Sequence, residues 1–239
     1  MRPVEDNVVM NQTLRIATWN VERLRHKNKL EEILSRCLAA KADILVLTET
    51  DERVRPEYEY CYSTAILKGT QTPVIYGDTE NRVSIFTNYK CVRQYKTYDD
   101  KTSICVELET SIGNLIVYGT IIGISGNRRI DYNEDLAKQL EDIRMLAEED
   151  KNICMIGDYN CSFGDNFYYT KAGRNAMLNC FQNYHISILT ADRAECIDHI
   201  AVSDSFMKGV SVKSIEEWNT DMSLSDHKGI VVAISSDKI

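Results

Sequence analysis

The chain has 239 residues, 44% of them apolar and 27% charged, which is ordinary for a globular protein and long enough for one large domain or two small ones. Lys plus Arg number 28 against 36 for Asp plus Glu, a net charge of −8. That balance excludes a broad basic surface for non-specific nucleic-acid binding, leaves room for a local basic groove, and suits a protein that gathers divalent cations at a carboxylate cluster.

The first segment, residues 1–12, has no apolar signal-peptide core and is expected to be a flexible tail ahead of a single domain over residues 13–236. Leu14 to Val21 reads as a strand ending in Trp19-Asn20-Val21-Glu22. Leu30, Ile33, Leu34, Cys37 and Leu38 then follow the spacing of one helix face. Asp43 to Leu47 is a second, buried strand that runs into Thr48-Glu49-Thr50-Asp51. The middle holds short strand candidates at Arg82 to Phe86, Val92 to Tyr98 and Ser103 to Leu108, followed by Gly113 to Ile122. Asn133 is placed to cap a helix with the stripe Leu136, Leu140, Ile143 and Ala147. Ile153 to Ile156 is another core strand, Lys171 to Tyr184 a helix, and Cys196 to Val202, Val210 to Ile215 and Gly229 to Ile234 the last strands. No repeat or low-complexity linker interrupts this order, which describes one α/β domain with mixed strands.

None of the eight cysteines forms a Cys-x-x-Cys pair, so a zinc site built from close thiols has no support. Cys105 and Cys154 sit inside apolar strand patterns and read as small core residues. With no run of transmembrane length, a reduced cytoplasmic protein without membrane association is expected.

Polar groups cluster where the apolar runs stop: Asn20 and Glu22, Glu49, Asp158 and Asn160, Asp198 and His199, and Asp226 and His227. Asp158 and Asn160 stand two apart just beyond a core strand, where an Asp can accept a proton from a water while an Asn amide donates to a neighbouring oxygen. The same Gly-Asp-x-Asn letters also make a plain turn. Asn20 reads equally as a turn former, Glu49 as a solvated strand end and Asp226 as a cap, and His199, inside an alternating strand, reads as packing. Five strand ends carrying such groups in one chain are harder to explain as accidents.

Taken together, Trp-Asn at Asn20, Thr-Glu at Glu49, Gly-Asp-x-Asn at Asp158 and Ser-Asp-His at Asp226 resemble the endonuclease/exonuclease/phosphatase superfamily, over Leu14 to Ile234 and in that family's order. The small bacterial-type members are nearest in length. The resemblance implies a four-layer α/β sandwich, two packed mixed β-sheets flanked by helices, with the site at one end of the sheets. It implies Glu49 as the metal-binding glutamate, Asn20 as an amide that orders metal site and phosphate, and Asp226 as a metal-linked carboxylate. Asp158 and Asn160 match the pair that positions and activates water, His227 the phosphate-contacting histidine, and Asp198 the aspartate orienting it. Glu22 falls where related enzymes carry an acid near the metal.

An oxygen-rich set of this kind suits Mg²⁺ or Mn²⁺. The implied activity is metal-assisted in-line attack of water on a phosphodiester, with DNA or RNA as the expected substrate and a monomeric enzyme without a protein partner. The alternatives are a phosphatase or phosphodiesterase acting on a small or lipid-derived phosphate, and a non-catalytic binding protein that kept the fold. One position departs from the pattern: Ile121 stands where the family usually has a His or Tyr that contacts phosphate. Tyr118, Arg82, Arg128 and Arg129 are the candidates to replace that contact, each with an ordinary reading as a core tyrosine or solvated arginine.

Overall fold

A computed structural model describes residues 13–67, 69–71, 74–124 and 131–236; the expected N-terminal tail, Arg128 and Arg129 lie outside them. In chain order the elements are β1 (Thr13–Asn20), α1 (Leu30–Ala39), β2 (Ile44–Asp51), β3 (Tyr60–Ser63), β4 (Gly69–Gln71), β5 (Val74–Tyr76), β6 (Glu80–Thr87), β7 (Cys91–Tyr95) and β8 (Ser103–Thr110). There follow β9 (Gly113–Ile121), α2 (Asp131–Glu148), β10 (Ile153–Asp158), α3 (Lys171–Asn183), β11 (Ile186–Ile188), β12 (Asp198–Ser203), β13 (Val210–Trp218) and β14 (Gly229–Ser236).

Two six-stranded sheets form, in the orders β13-β14-β1-β2-β6-β3 and β11-β12-β10-β9-β8-β7, with β4 and β5 as a separate hairpin. Each sheet is mixed: β1 runs parallel to β2 in the first and β10 parallel to β9 in the second, with antiparallel neighbours beyond. Three apolar layers hold the sandwich together. Ile16, Val46, Val83, Val117, Ile156 and Ile200 pack between the sheets. Trp19, Leu45 and Leu47 meet Ile33 and Cys37 of α1, while Tyr118, Met155 and Ala201 meet α2 and α3 through Leu136, Ile143, Met177 and Phe181. The strands are therefore buried on both faces, which is why β2, β10, β12 and β14 read as continuous apolar runs rather than alternating ones.

The helices depart from the sequence expectation in two places. Leu38 continues the periodic stripe of α1 yet is 69% exposed, because the buried face of the helix runs through Ile33 and Cys37 and Leu38 lies beyond its margin. Asn133 is not a cap: α2 begins at Asp131, and Leu146 rather than Ala147 completes its buried face. The capping signal that does operate is Thr170, whose hydroxyl accepts from the Gly173 amide at 3.1 Å to start α3. The short strands β4, β5 and β11 have too few residues for a clear period and were not legible as separate elements.

Candidate active site

The site follows from strand direction. β9 and β10 run parallel and β12 returns against β10, so Ile121, Asp158 and Asp198 stand in cross-strand register on the same face. That face looks into the gap between the sheets, as Cys154 and Ile156, four and two residues before Asp158, already do. Gly157 makes the last step possible. Its φ is +136°, and a β-carbon there would run into the Thr120 carbonyl oxygen on β9. In the other sheet β1 and β2 also run parallel, with Asn20 opposite Thr48, and the turn before β14 lies at the same end because Ile230 pairs with Thr18.

Asp158 is almost fully buried and surrounded by donors. Its Oδ1 accepts from the Asn160 backbone amide at 2.8 Å, and its Oδ2 accepts from Asn20 Nδ2 at 3.1 Å and Asn160 Nδ2 at 3.4 Å. Burial is the main influence on this carboxyl and, with the charge of Asp198, pushes it up to about 7, against the opposing pull of His227 and the Asn160 and Asn20 donors. Asn160, in left-handed backbone at φ 48°, gives its amide mainly to the Ile122 carbonyl at 2.9 Å, tying the end of β9 to the turn after β10.

His227 Nδ1 donates to Asp198 Oδ2 at 2.6 Å, while Nε2 lies 3.7 Å from the exposed Asp226 Oδ1. Burial alone would lower the His227 pKa, but the neighbouring Asp198 and Asp158 carboxylates outweigh it and raise the ring to about 10, so it is a cation at neutral pH. The turn carrying Asp226 and His227 is built by the Ser of Ser-Asp-His and the Trp of Trp-Asn together with Asn219, which sequence patterns did not single out. Ser225 Oγ donates to the Asn20 carbonyl at 2.5 Å and accepts from the His227 amide at 3.2 Å. Asn219 donates to the carbonyls of Ser225 and His227 at 2.9 and 2.7 Å, and Trp19 Nε1 donates to the His227 carbonyl at 3.1 Å.

Glu49 lies two residues before the end of β2 at a left-handed φ of 42°, with its carboxylate 3.5 Å from the Arg23 guanidinium. Burial first, then the negative charges of Asp226 and Glu22, raise its pKa, while Arg23 and His227 lower it. Glu22 itself bonds Arg25 at 2.5 Å. Two carboxylate groupings therefore face the same end of the sandwich. Glu49 feels the charges of Asp226 and Glu22, and the side chains of Glu49, Glu22 and Asp226 are partly open, 22%, 13% and 67% exposed. Asp158, Asp198 and His227 bring ligand-type atoms within 4.8 Å of one another, but Asp198 is bonded to His227 and Asp158 to Asn20 and Asn160, while Asp198 Oδ1 is buried without a partner among the described residues.

Several candidates for a phosphate contact change meaning. Tyr118 is one residue out of phase with Ile121 and faces the helix layer, fully buried, with its hydroxyl donating to Asp142 at 2.8 Å and lying 3.2 Å from Ser103 Oγ. It is a packing residue, remote from the gap between the sheets. Arg82 is buried on β6, with Nε donating to the Tyr76 hydroxyl at 3.2 Å and its guanidinium 5.4 Å from that ring. Ile121 is 1% exposed and packs in the inter-sheet core beside Asp158. His199, next to Asp198 but on the opposite face, is buried against Tyr159 and Phe163; its Nε2 donates to the Cys161 carbonyl at 3.0 Å and its Nδ1 accepts from Thr190 at 2.9 Å.

Two packed mixed sheets between helices, with carboxylates, amides and a charged histidine at one end, define an α/β sandwich of phosphoesterase type. The family model described as Endonuclease/Exonuclease/phosphatase family matches residues 17–227. The chain belongs to that family. Among solved structures, an AP endonuclease from Leishmania major matches with a TM-score of 0.68 at 15% identity, over 94% of this chain and 88% of its own. An endonuclease/exonuclease/phosphatase from Beutenbergia cavernae matches with a TM-score of 0.67 at 15% identity, over 94% of this chain and 72% of its own. A 3'-5' exonuclease from Neisseria meningitidis matches with a TM-score of 0.64 at 16% identity, over 92% and 98%. At these identities the likeness is one of fold. No curated protein sequence matches the chain. Among the described residues no helix is long and apolar enough to cross a membrane.

Proposed function

We propose that the protein is a divalent-metal-dependent hydrolase of phosphodiester bonds, with nucleic acid as its substrate. The observation that carries this reading is the Asn20–Asp158 and Asp198–His227 pairing at one sheet end, beside the three carboxylates Glu49, Glu22 and Asp226. Buried charged groups that exist only for stability are easily replaced by apolar ones, so a cluster this costly favours catalysis over a lapsed binding protein.

Glu49, Glu22 and Asp226 are the residues that would hold the ion. Their all-oxygen donor set fits Mg²⁺ or Mn²⁺, and their partial exposure leaves the room for water that those ions retain. When bound there, the ion supplies positive charge toward the phosphate and its leaving oxygen. The Asp158, Asp198 and His227 trio is the poorer holder, because Asp198 spends one oxygen on the ring and Asp158 is engaged by three donors.

The side chains divide the remaining work. Asp158, held up near 7 by burial, is the base that takes a proton from the attacking water; Asn20 and Asn160 keep its oxygens aimed. His227 starts as a cation and is therefore the donor to a phosphate oxygen, not the base. Asp198 fixes the ring and its charge.

Nucleic acid is favoured over a small phosphate because an AP endonuclease and a 3'-5' exonuclease share this fold. The eight unpaired cysteines support a reducing, cytoplasmic setting. The test is a substrate panel with Mg²⁺ or Mn²⁺: plasmid, single strands, abasic duplex, RNA, cyclic dinucleotides and phosphate monoesters. Cleavage of a polynucleotide is expected. Turnover of monoesters alone would replace the substrate assignment with that of a small-molecule phosphatase.

A further inference from the structure

Arg23 enters the metal carboxylates from the turn after β1, and nothing in the catalytic account uses it. Glu22, Arg23 and Leu24 all adopt left-handed backbone, with φ of 49°, 53° and 52°. Three such residues in a row, none of them glycine, hold a conformation that L-residues avoid, and strain of this kind collects where a side chain must be aimed. The buried side chain of Leu24 anchors the turn from below. Arg23 then lies across the rim of the site. Its Nε is 3.5 Å from Glu49 Oε2, one terminal nitrogen is 3.6 Å from Glu80 Oε2 and donates to the Ile75 carbonyl at 3.2 Å, and its guanidinium sits 5.5 Å from the centre of the Tyr76 ring.

We infer that Arg23 is a resident counter-cation of Glu49 that competes with the divalent ion and so sets the concentration at which the ion binds. The inference rests on the reading of Glu49 as a metal ligand. Arg53 and Asp51 in the same chain show what a closed pair looks like: two guanidinium nitrogens each 2.7 Å from a carboxylate oxygen. The Arg23–Glu49 contact at 3.5 Å has no such closure. It neutralises the carboxylate without occupying its lone pairs, so an ion can take them. Arg23 meanwhile keeps Glu80, the Ile75 carbonyl and the Tyr76 face, and stays in place as an unfavourable positive charge beside the ion. The side chains of Arg23 and Glu49 are each only 22% exposed, so solvent does not fully screen that charge.

The experiment is a Mn²⁺ titration of the chelator-stripped full chain, following free Mn²⁺ by electron paramagnetic resonance. The proteins are wild type, Arg23→Met, Arg23→Gly, Arg23→Lys and Glu49→Gln. Arg23→Met keeps an apolar stem over Tyr76, and Arg23→Gly suits the left-handed backbone, so one of the two remains informative if the other folds poorly. Both are expected to bind Mn²⁺ roughly tenfold more tightly than wild type, the size of effect of one partly screened charge. Arg23→Lys should stay within about threefold, and Glu49→Gln should lose the site. If Glu49→Gln abolishes binding while Arg23→Met and Arg23→Gly bind no more tightly than wild type, the counter-cation idea is wrong and the metal assignment stands. If no protein in the series shows Mn²⁺ binding that depends on Glu49, both fall together.

Discussion

Asn20 donates its amide to Asp158 at 3.1 Å across the gap between the two sheets, the last residue of β1 bonding the last residue of β10. The bond joins the halves of the sandwich at the point where the proposed base must be aimed. Asn20→Ala removes a donor to a buried carboxylate, and turnover is expected to fall by roughly 10 to 10² with the fold retained. Steady-state kinetics beside a melting curve check this; unchanged turnover would mean that the Asn20 contact only joins the sheets.

The direction of the Asp158 shift gives a pH dependence. A carboxyl raised to about 7 is protonated below that pH and cannot accept a proton, so turnover should climb as pH rises through that region and level off above it. His227, raised to about 10, stays cationic across the plateau. Replacing Asp198 by Asn removes the charge that holds the ring protonated, and the alkaline limb should move down toward neutrality. A profile for Asp198→Asn that overlays wild type on the alkaline side would contradict the role given to this pair.

His199 makes a separate claim about stability. Burial holds its ring neutral with a pKa near 4, below the ordinary 6.5, although Asp198 and its hydrogen bonds oppose the shift. Between those values the unfolded chain binds a proton that the folded protein refuses. Stability is therefore fully present above about pH 6.5 and is lost as pH falls toward 4, by up to about 3 kcal/mol. His199→Gln should be less stable at neutral pH yet flatter in its dependence over that window. Denaturant melts at several pH values measure it, and an unchanged slope would show that other groups govern the acid limb.

Gly157 sets the position of Asp158 at the end of β10. Adding a methyl group brings it against the Thr120 carbonyl and imposes a side chain on a φ of +136°. Gly157→Ala is expected to lower the melting temperature and to cost turnover by displacing Asp158, with an overall loss of about 2 kcal/mol or more in stability. A variant with wild-type melting and turnover would mean that β9 moves aside freely.

Much of this site was legible because its residues interrupt apolar runs. Asp158 and His227 stand at the ends of strands buried on both faces, where a polar residue is conspicuous. Alternation also separates neighbours: Asp198 faces the gap between the sheets and His199 the helices, as an unbroken strand requires. The same count would have put Tyr118 on the far side from Ile121. What stayed hidden depends on tertiary position. Asn219 builds the turn that carries His227 from eight residues away, and Arg23, from the turn after β1, meets Glu49 of β2 and the Tyr76 ring of β5. Leu38 shows the converse, a residue with the right period at a helix end that is left largely exposed.

The most direct test of the whole account is cleavage of an end-labelled polynucleotide by wild type and Asp158→Asn, each with excess Mn²⁺ and again with excess chelator. The amide matches the carboxylate in size but cannot take a proton, so the account predicts metal-dependent cleavage by wild type, none with chelator, and a loss of roughly 10² or more in Asp158→Asn. Cleavage that survives chelation, or an Asp158→Asn enzyme as fast as wild type, would contradict it.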